Sequence, residues 1–133
     1  MCLRNRYQPE MSNNRVNLFV RFLLEVFAIV TFGIWGHSLS DQWTRFLLAG
    51  FFPLLFAGIW GVFAVPNDPS RSGKTVIPTP GPIRLALELI LFAAATWMLI
   101  GLGKLFLGWI FSGVVLLHYV ISYDRIAWLL RQR

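Results

Sequence analysis

Residues 16–39 read VNLFVRFLLEVFAIVTFGIWGHSL. As a helix rising about 1.5 Å per residue, this stretch would cover about 36 Å. The hydrocarbon core of a bilayer is roughly 30 Å thick. Its apolar residues fall on every side of that helix rather than on one stripe, the pattern of a span surrounded by lipid or protein. Arg21 and Glu25 are its charged residues, one helical turn apart. The stretch is too long for the apolar region of a signal peptide, and no small-x-small cleavage site follows it.

Three further apolar runs repeat the pattern. The segments expected are a tail at 1–15, spans at 16–39 and 43–65, a loop at 66–82, spans at 82–102 and 105–123, and a tail at 124–133. Composition agrees: 56% of the chain is hydrophobic and 14% charged, against about 25% charged in soluble domains. The fold class expected is all-α, an integral membrane four-helix bundle made of two helical hairpins. HSLSDQ (37–42) and GLGK (101–104) are the tight turns. PNDPSRSGKTVIPTPGP (66–82) is a longer polar loop rich in Pro, Gly and Ser. Pro82 suits the first turn of a helix, where its missing N–H would be unpaired anyway.

The chain carries 12 Lys and Arg against 6 Asp and Glu, a net charge of +6. Nucleic acid is excluded as a partner, because the basic residues lie between apolar runs and not on one polar face. Arg4, Arg6, Arg15, Arg71, Lys74, Arg125, Arg131 and Arg133 fall on the side of the termini and the long loop, with Arg21 and Arg84 near the same face. Arg45 and Lys104 fall near the other face. The positive-inside rule then places both termini and the long loop in the cytoplasm. Trp43 and Trp109 suit an aromatic belt at the outer face, and Trp128 one at the inner face. The single cysteine, Cys2, excludes an intrachain disulfide. Met11 is an alternative start.

Displacing the chain by 63 positions lays Arg84 and Glu88 of IRLALE (83–88) on Arg21 and Glu25 of VRFLLE (20–25). The first and third helices match, as do the second and fourth. A duplication of this kind is parallel, with its axis along the membrane normal. A charge at the bilayer centre costs roughly 2.5–3.5 kcal/mol on insertion scales, so these four call for pairing. Both arginines can snorkel toward the cytoplasmic interface. If the first and third helices meet, Arg21 reaches Glu88 and Arg84 reaches Glu25, giving a neutral four-member cluster. Exchanging Arg21 and Glu88 should then restore stability lost in either single variant. The cluster reads in two ways, as structural glue or as a ligand or proton site. The adjacent guanidiniums stabilise ionised carboxylates and favour glue.

Other residues carry weaker signals. Gly33, Gly36, Gly58 and Gly61, in two copies of GIWG, are expected to permit close helix packing, as are Gly50, Ala57 and Gly113. Pro53 should kink the second helix and free the carbonyl of Ala49. His118, beside Tyr119 and Tyr123, lies at the depth of the glutamates and could hydrogen-bond one of them. His37 lies at the opposite face, so the two histidines do not share a metal or haem. No metal or cofactor is expected, and no constellation suggests an enzyme.

The stretches NLFVRFLLE (17–25), GIWGVFAVP (58–66) and PIRLALELILF (82–92) resemble the YrdB-like family, small bacterial four-helix membrane proteins. The resemblance runs from about Asn17 to the middle of the fourth helix. It implies an inner-membrane location and no assigned activity. The expected partners are the lipid bilayer and a further copy or another membrane protein. Two functions compete. One is a structural or interaction bundle. The other is a small proton-coupled transporter of a solute or cation, similar in size to small multidrug exporters. The arginine beside Glu25 and the long middle loop both depart from the exporter plan. Quinone or haem binding has only aromatic richness behind it, which lipid contact explains more simply.

Overall fold

The structure is a computed structural model that describes residues 14–66 and 76–132. Cys2, Met11, Arg4, Arg6, Arg71, Lys74 and Arg133 lie outside the described residues. Five helices account for nearly all of the rest: α1 (Arg15–Ser38), α2 (Thr44–Val62), α3 (Gly81–Gly101), α4 (Leu105–Ile121) and α5 (Tyr123–Arg131). Three of them, α1, α2 and α3, are long and apolar enough to cross a membrane. Taking α4 and α5 as one bent span raises the number to four.

Local chemistry sets the helix ends. The side chain of Asn14 accepts the N–H of Val16 at 3.0 Å and caps α1. Gly103, at φ +77°, closes α3. The N–H of Gly103 reaches Ile100 O and that of Lys104 reaches Leu99 O, the Schellman pattern that a left-handed residue permits. The second helix ends at Val62, three residues before the sequence expectation. Phe63–Ala64 (β1) turns extended and pairs in parallel with Ile77–Pro78 (β2). Thr79 N–H donates to Ala64 O at 2.9 Å, so the two ends of the middle connection are held together.

The fourth span departs from expectation more sharply. It breaks at Ser122, and α5 turns away from α4 by 68°. Residues 124–133, expected as a tail, instead supply most of α5, which buries Asp124, Arg125, Trp128 and Leu129. Arg125, Trp128 and Leu129 recur at the spacing of one helix face. The side chain of Asn17 donates to Ser122 Oγ at 2.7 Å, fastening the break to the start of α1.

The core is made by Leu24, Ala28 and Phe32 of α1, Phe56 of α2, Leu91, Phe92 and Ala95 of α3, and Phe111 and Val115 of α4. Phe19, Phe22, Leu54, Ile90, Phe106 and Leu116 are all more than half exposed. An apolar exterior on this scale is compatible with membrane association.

The glycines divide. A Cβ on Gly36 would lie 2.5 Å from Leu48 O, so close α1–α2 approach requires glycine there. A Cβ on Gly33 would lie 3.2 Å from the Pro53 ring and 3.3 Å from Ala49 O. The carbonyl that Pro53 frees therefore sits against Gly33. Gly58 and Gly61 correct the sequence expectation: a Cβ on either meets nothing within 4 Å, and the same holds for Gly50 and Gly113. GIWG is a packing motif in its first copy, where α1 crosses α2. In its second copy Ile59 and Trp60 pack against the core, while a Cβ on either glycine meets nothing within 4 Å.

Candidate charge cluster at one end of the helices

The start of α1, the end of α2, the start of α3 and the end of α4 all lie at one end of the molecule, because consecutive helices alternate in direction. Charged side chains from α1, α3 and α5 meet there. Glu88 of α3 is the centre, and it is 1% exposed.

Five hydrogen bonds converge on its carboxylate. Oε1 accepts from Arg21 Nη2 at 3.2 Å, from Arg84 Nε at 3.0 Å and from Arg125 Nη2 at 2.9 Å. Oε2 accepts from Arg125 Nη1 at 3.0 Å and from the Tyr119 hydroxyl at 2.9 Å. Arg125 thus grips both oxygens with the planar fork of its guanidinium, the geometry that makes such pairs strong. A buried carboxylate without partners would be far too costly to keep ionised. Here its acceptor sites are filled.

Arg84 has a second role. Its Nη1 donates to the Trp60 carbonyl at 2.7 Å and to the Phe63 carbonyl. These belong to the end of α2, where carbonyls lack helical partners. A guanidinium at a helix C-terminus also meets the negative end of the helix dipole. The ring of Trp60 packs under two cations, with Arg84 Cζ at 4.6 Å and Arg21 Cζ at 5.6 Å from its centroid.

Glu25 stands apart. Arg21 Nε reaches its Oε1 at 3.1 Å, and the Glu25 side chain is 21% exposed. The arrangement is therefore unequal. Arg21 bridges both glutamates, whereas Arg84 serves Glu88 and the α2 carbonyls. The reciprocal Arg84–Glu25 bond expected from two-fold symmetry is absent among the described residues.

His118 does not bond to a glutamate; its neighbour Tyr119 does. The His118 ring packs edge-on against Tyr119, with centroids 5.6 Å apart. Its Nδ1 is buried without a hydrogen-bond partner among the described residues. His37 packs on Phe46, at the α1–α2 hairpin.

The sequence places Arg125 among the topogenic charges, marks Trp60 only as part of the GIWGVFAVP resemblance, and gives no role to Gly81. The i, i+3, i+4 recurrence of Arg125, Trp128 and Leu129 was the signal available for Arg125. Nothing local in the sequence marks Gly81. A Cβ there would overlap Leu129 O, and its N–H donates to Gln132 O at 2.6 Å. The start of α3 is thereby pressed against the end of α5, positive dipole end to negative.

The family described as "Protein of unknown function (DUF2568)" matches residues 19–116. That segment contains Arg21, Glu25, Trp60, Arg84 and Glu88, whereas Tyr119 and Arg125 lie beyond it. The uncharacterized protein YrdB of Bacillus subtilis is 40% identical over 119 residues, 90% of this chain and 97% of that protein. No solved structure matches the chain. On these matches, the chain belongs to the YrdB-like family of proteins of unknown function.

Proposed function

We propose that the protein is a structural or interaction bundle of the bacterial inner membrane, acting through its surfaces on a further copy or another membrane protein, with no enzymatic centre. In this reading it spans the bilayer four times, with α4 and α5 together as the fourth span. Both termini and the middle loop lie in the cytoplasm. The charge cluster is the cytoplasmic joint that locks the helix ends.

One observation carries the reading: Glu88 is saturated. A carboxylate offers about four lone-pair sites, and five hydrogen bonds from three arginines and a tyrosine reach this one. No site remains for an arriving cation or substrate. The parallel duplication belongs to the same reading. Arg21 and Arg84 occupy matching positions on helices that share a charge cluster, and α5 is an addition to the second half.

A specific feature favours a second reading, a small proton-coupled transporter. Glu25 is partly exposed and, among the described residues, meets a guanidinium on one oxygen only. Carboxyl infrared titration in lipid nanodiscs, with Glu25→Gln and Glu88→Gln for assignment, separates the two. Both carboxylates staying ionised between about pH 5 and 8 supports the joint. Proton uptake by Glu25 in that range, with liposome proton flux that Glu25→Gln abolishes, would make transport the function.

A further inference from the structure

Two cavities open along the seam between α1 and α4. One, of about 390 Å³, is lined by the cap residue Asn14, by Asn17 and Val20 of α1 and by Val114 and His118 of α4. The other, of about 280 Å³, is lined by Leu24 and Phe27 of α1 and by Ile110 and Phe111 of α4. Val20 and Val114 belong to both, so the two form one groove. From Asn14 to Phe27 a helix rises about 20 Å. Half of a roughly 30 Å hydrocarbon core is shorter than that. The groove therefore accommodates a headgroup and much of one acyl chain.

The groove is polar only at the end shared with the helix starts. His118 is 7% exposed there. Its Nδ1 is sealed without a partner among the described residues. An orphaned buried N–H is rarer and less tolerable than an orphaned acceptor. Neutral imidazole carries one N–H, so the bare nitrogen is Nδ1 and the proton sits on Nε2. His118 then offers a donor. Asn14 Oδ1 already accepts from Val16 N–H, which leaves that amide chiefly a donor too.

Charge completes the description. At this end of the molecule the described residues include five guanidiniums, of Arg15, Arg21, Arg84, Arg125 and Arg131. Three carboxylates oppose them, of Glu25, Glu88 and Asp124. His118 is within electrostatic reach of Arg21 and Arg125, with Glu88 opposing them. Donors beside a surplus of positive charge suit acceptor oxygens that carry negative charge.

Resting on the reading that the chain spans a bilayer, we infer that the α1–α4 groove is a binding site for one phospholipid with an anionic headgroup. The phosphate oxygens accept from His118 and Asn14. One acyl chain runs past Val20 and Val114 to Phe27 and Phe111.

Native mass spectrometry of the full chain in detergent, with equal phosphatidylglycerol and phosphatidylcholine, tests this. The expected result is one retained phosphatidylglycerol per chain, favoured about five-fold or more, the effect of roughly one surface charge. His118→Leu should lower retention of both lipids, since both carry the phosphate, and His118→Gln, which keeps a donor, should preserve part of it. Val114→Trp should fill the groove and remove the lipid. Circular dichroism verifies that each variant is folded; the wild-type competition stands without them. Absence of retained lipid overturns the inference. So does equal retention of the two lipids, undiminished retention by folded Val114→Trp, or recovery of a neutral isoprenoid quinone in place of phospholipid. Alkaline carbonate extraction separates the failures. A chain released from membranes refutes the membrane reading, whereas a chain that stays but retains no phosphatidylglycerol refutes only the lipid site.

Discussion

Glu88 and Glu25 each follow an arginine by four residues, yet they sit at unequal positions in space. Replacing Glu88 by Gln leaves three guanidiniums around a neutral amide that cannot balance them. Removing one partner of a buried ionic network costs about 3–5 kcal/mol, and Glu88→Gln should lower the denaturation midpoint in detergent accordingly. Glu25→Gln should cost less than about 1 kcal/mol, since its pair is partly exposed. Equal effects would contradict a hub at Glu88. The exchange of Arg21 and Glu88 has a different outlook now that Arg84 and Arg125 are known to share the carboxylate. The swapped variant sets an arginine between two others. It should be no more stable than Glu88→Gln, measured in the same assay, where a simple two-residue bridge would have given rescue.

Among the elements, the α1–α2 crossing and the α3–α5 junction depend most on single glycines. Gly36→Ala drives a methyl to 2.5 Å from the Leu48 carbonyl. Overpacking of this kind costs about 1–3 kcal/mol. Gly58→Ala meets open space and should be neutral or raise stability, alanine being the better helix former by about 1 kcal/mol. Comparing the two melting temperatures checks both. At the other junction, Gly81→Ala cannot be accommodated without moving α5, since the new methyl would overlap the Leu129 carbonyl. Displacing α5 withdraws Arg125 from Glu88. The expected signature is a red shift of tryptophan emission as buried Trp128 opens, together with a loss of stability comparable to that of Glu88→Gln.

At the scale of the whole molecule, the charged joint closes one end and an apolar exterior covers the remainder. The proposed orientation makes the ends distinguishable. In a chain carrying Cys2→Ser, a cysteine introduced at Asp41, in the α1–α2 turn, should react with a membrane-impermeant maleimide on intact spheroplasts. One introduced at exposed Arg131 in α5 should react only after lysis. The opposite pattern would invert the topology and place the charge cluster at the external face.

The all-helical class and the approximate position of each apolar helix follow from composition and periodicity, because a run of some twenty apolar residues has few stable alternatives to a helix when its surroundings are nonaqueous. The doubled Arg-x-x-x-Glu was equally legible, since residues one turn apart share a helix face whatever the tertiary fold. The division of labour between the two copies was not. It depends on α5, a helix of mixed polarity that sequence reading took for a tail, and on a bend at Ser122 that returns Arg125 to Glu88. The glycines show the same boundary. GIWG reads alike at 33–36 and 58–61, yet the glycines of the first copy face a neighbouring backbone, whereas a Cβ on those of the second meets nothing within 4 Å. Periodicity says which residues share a face of one helix. Which face meets another helix, and which charge meets which partner, depends on contacts distant in sequence, and only the tertiary structure decided those.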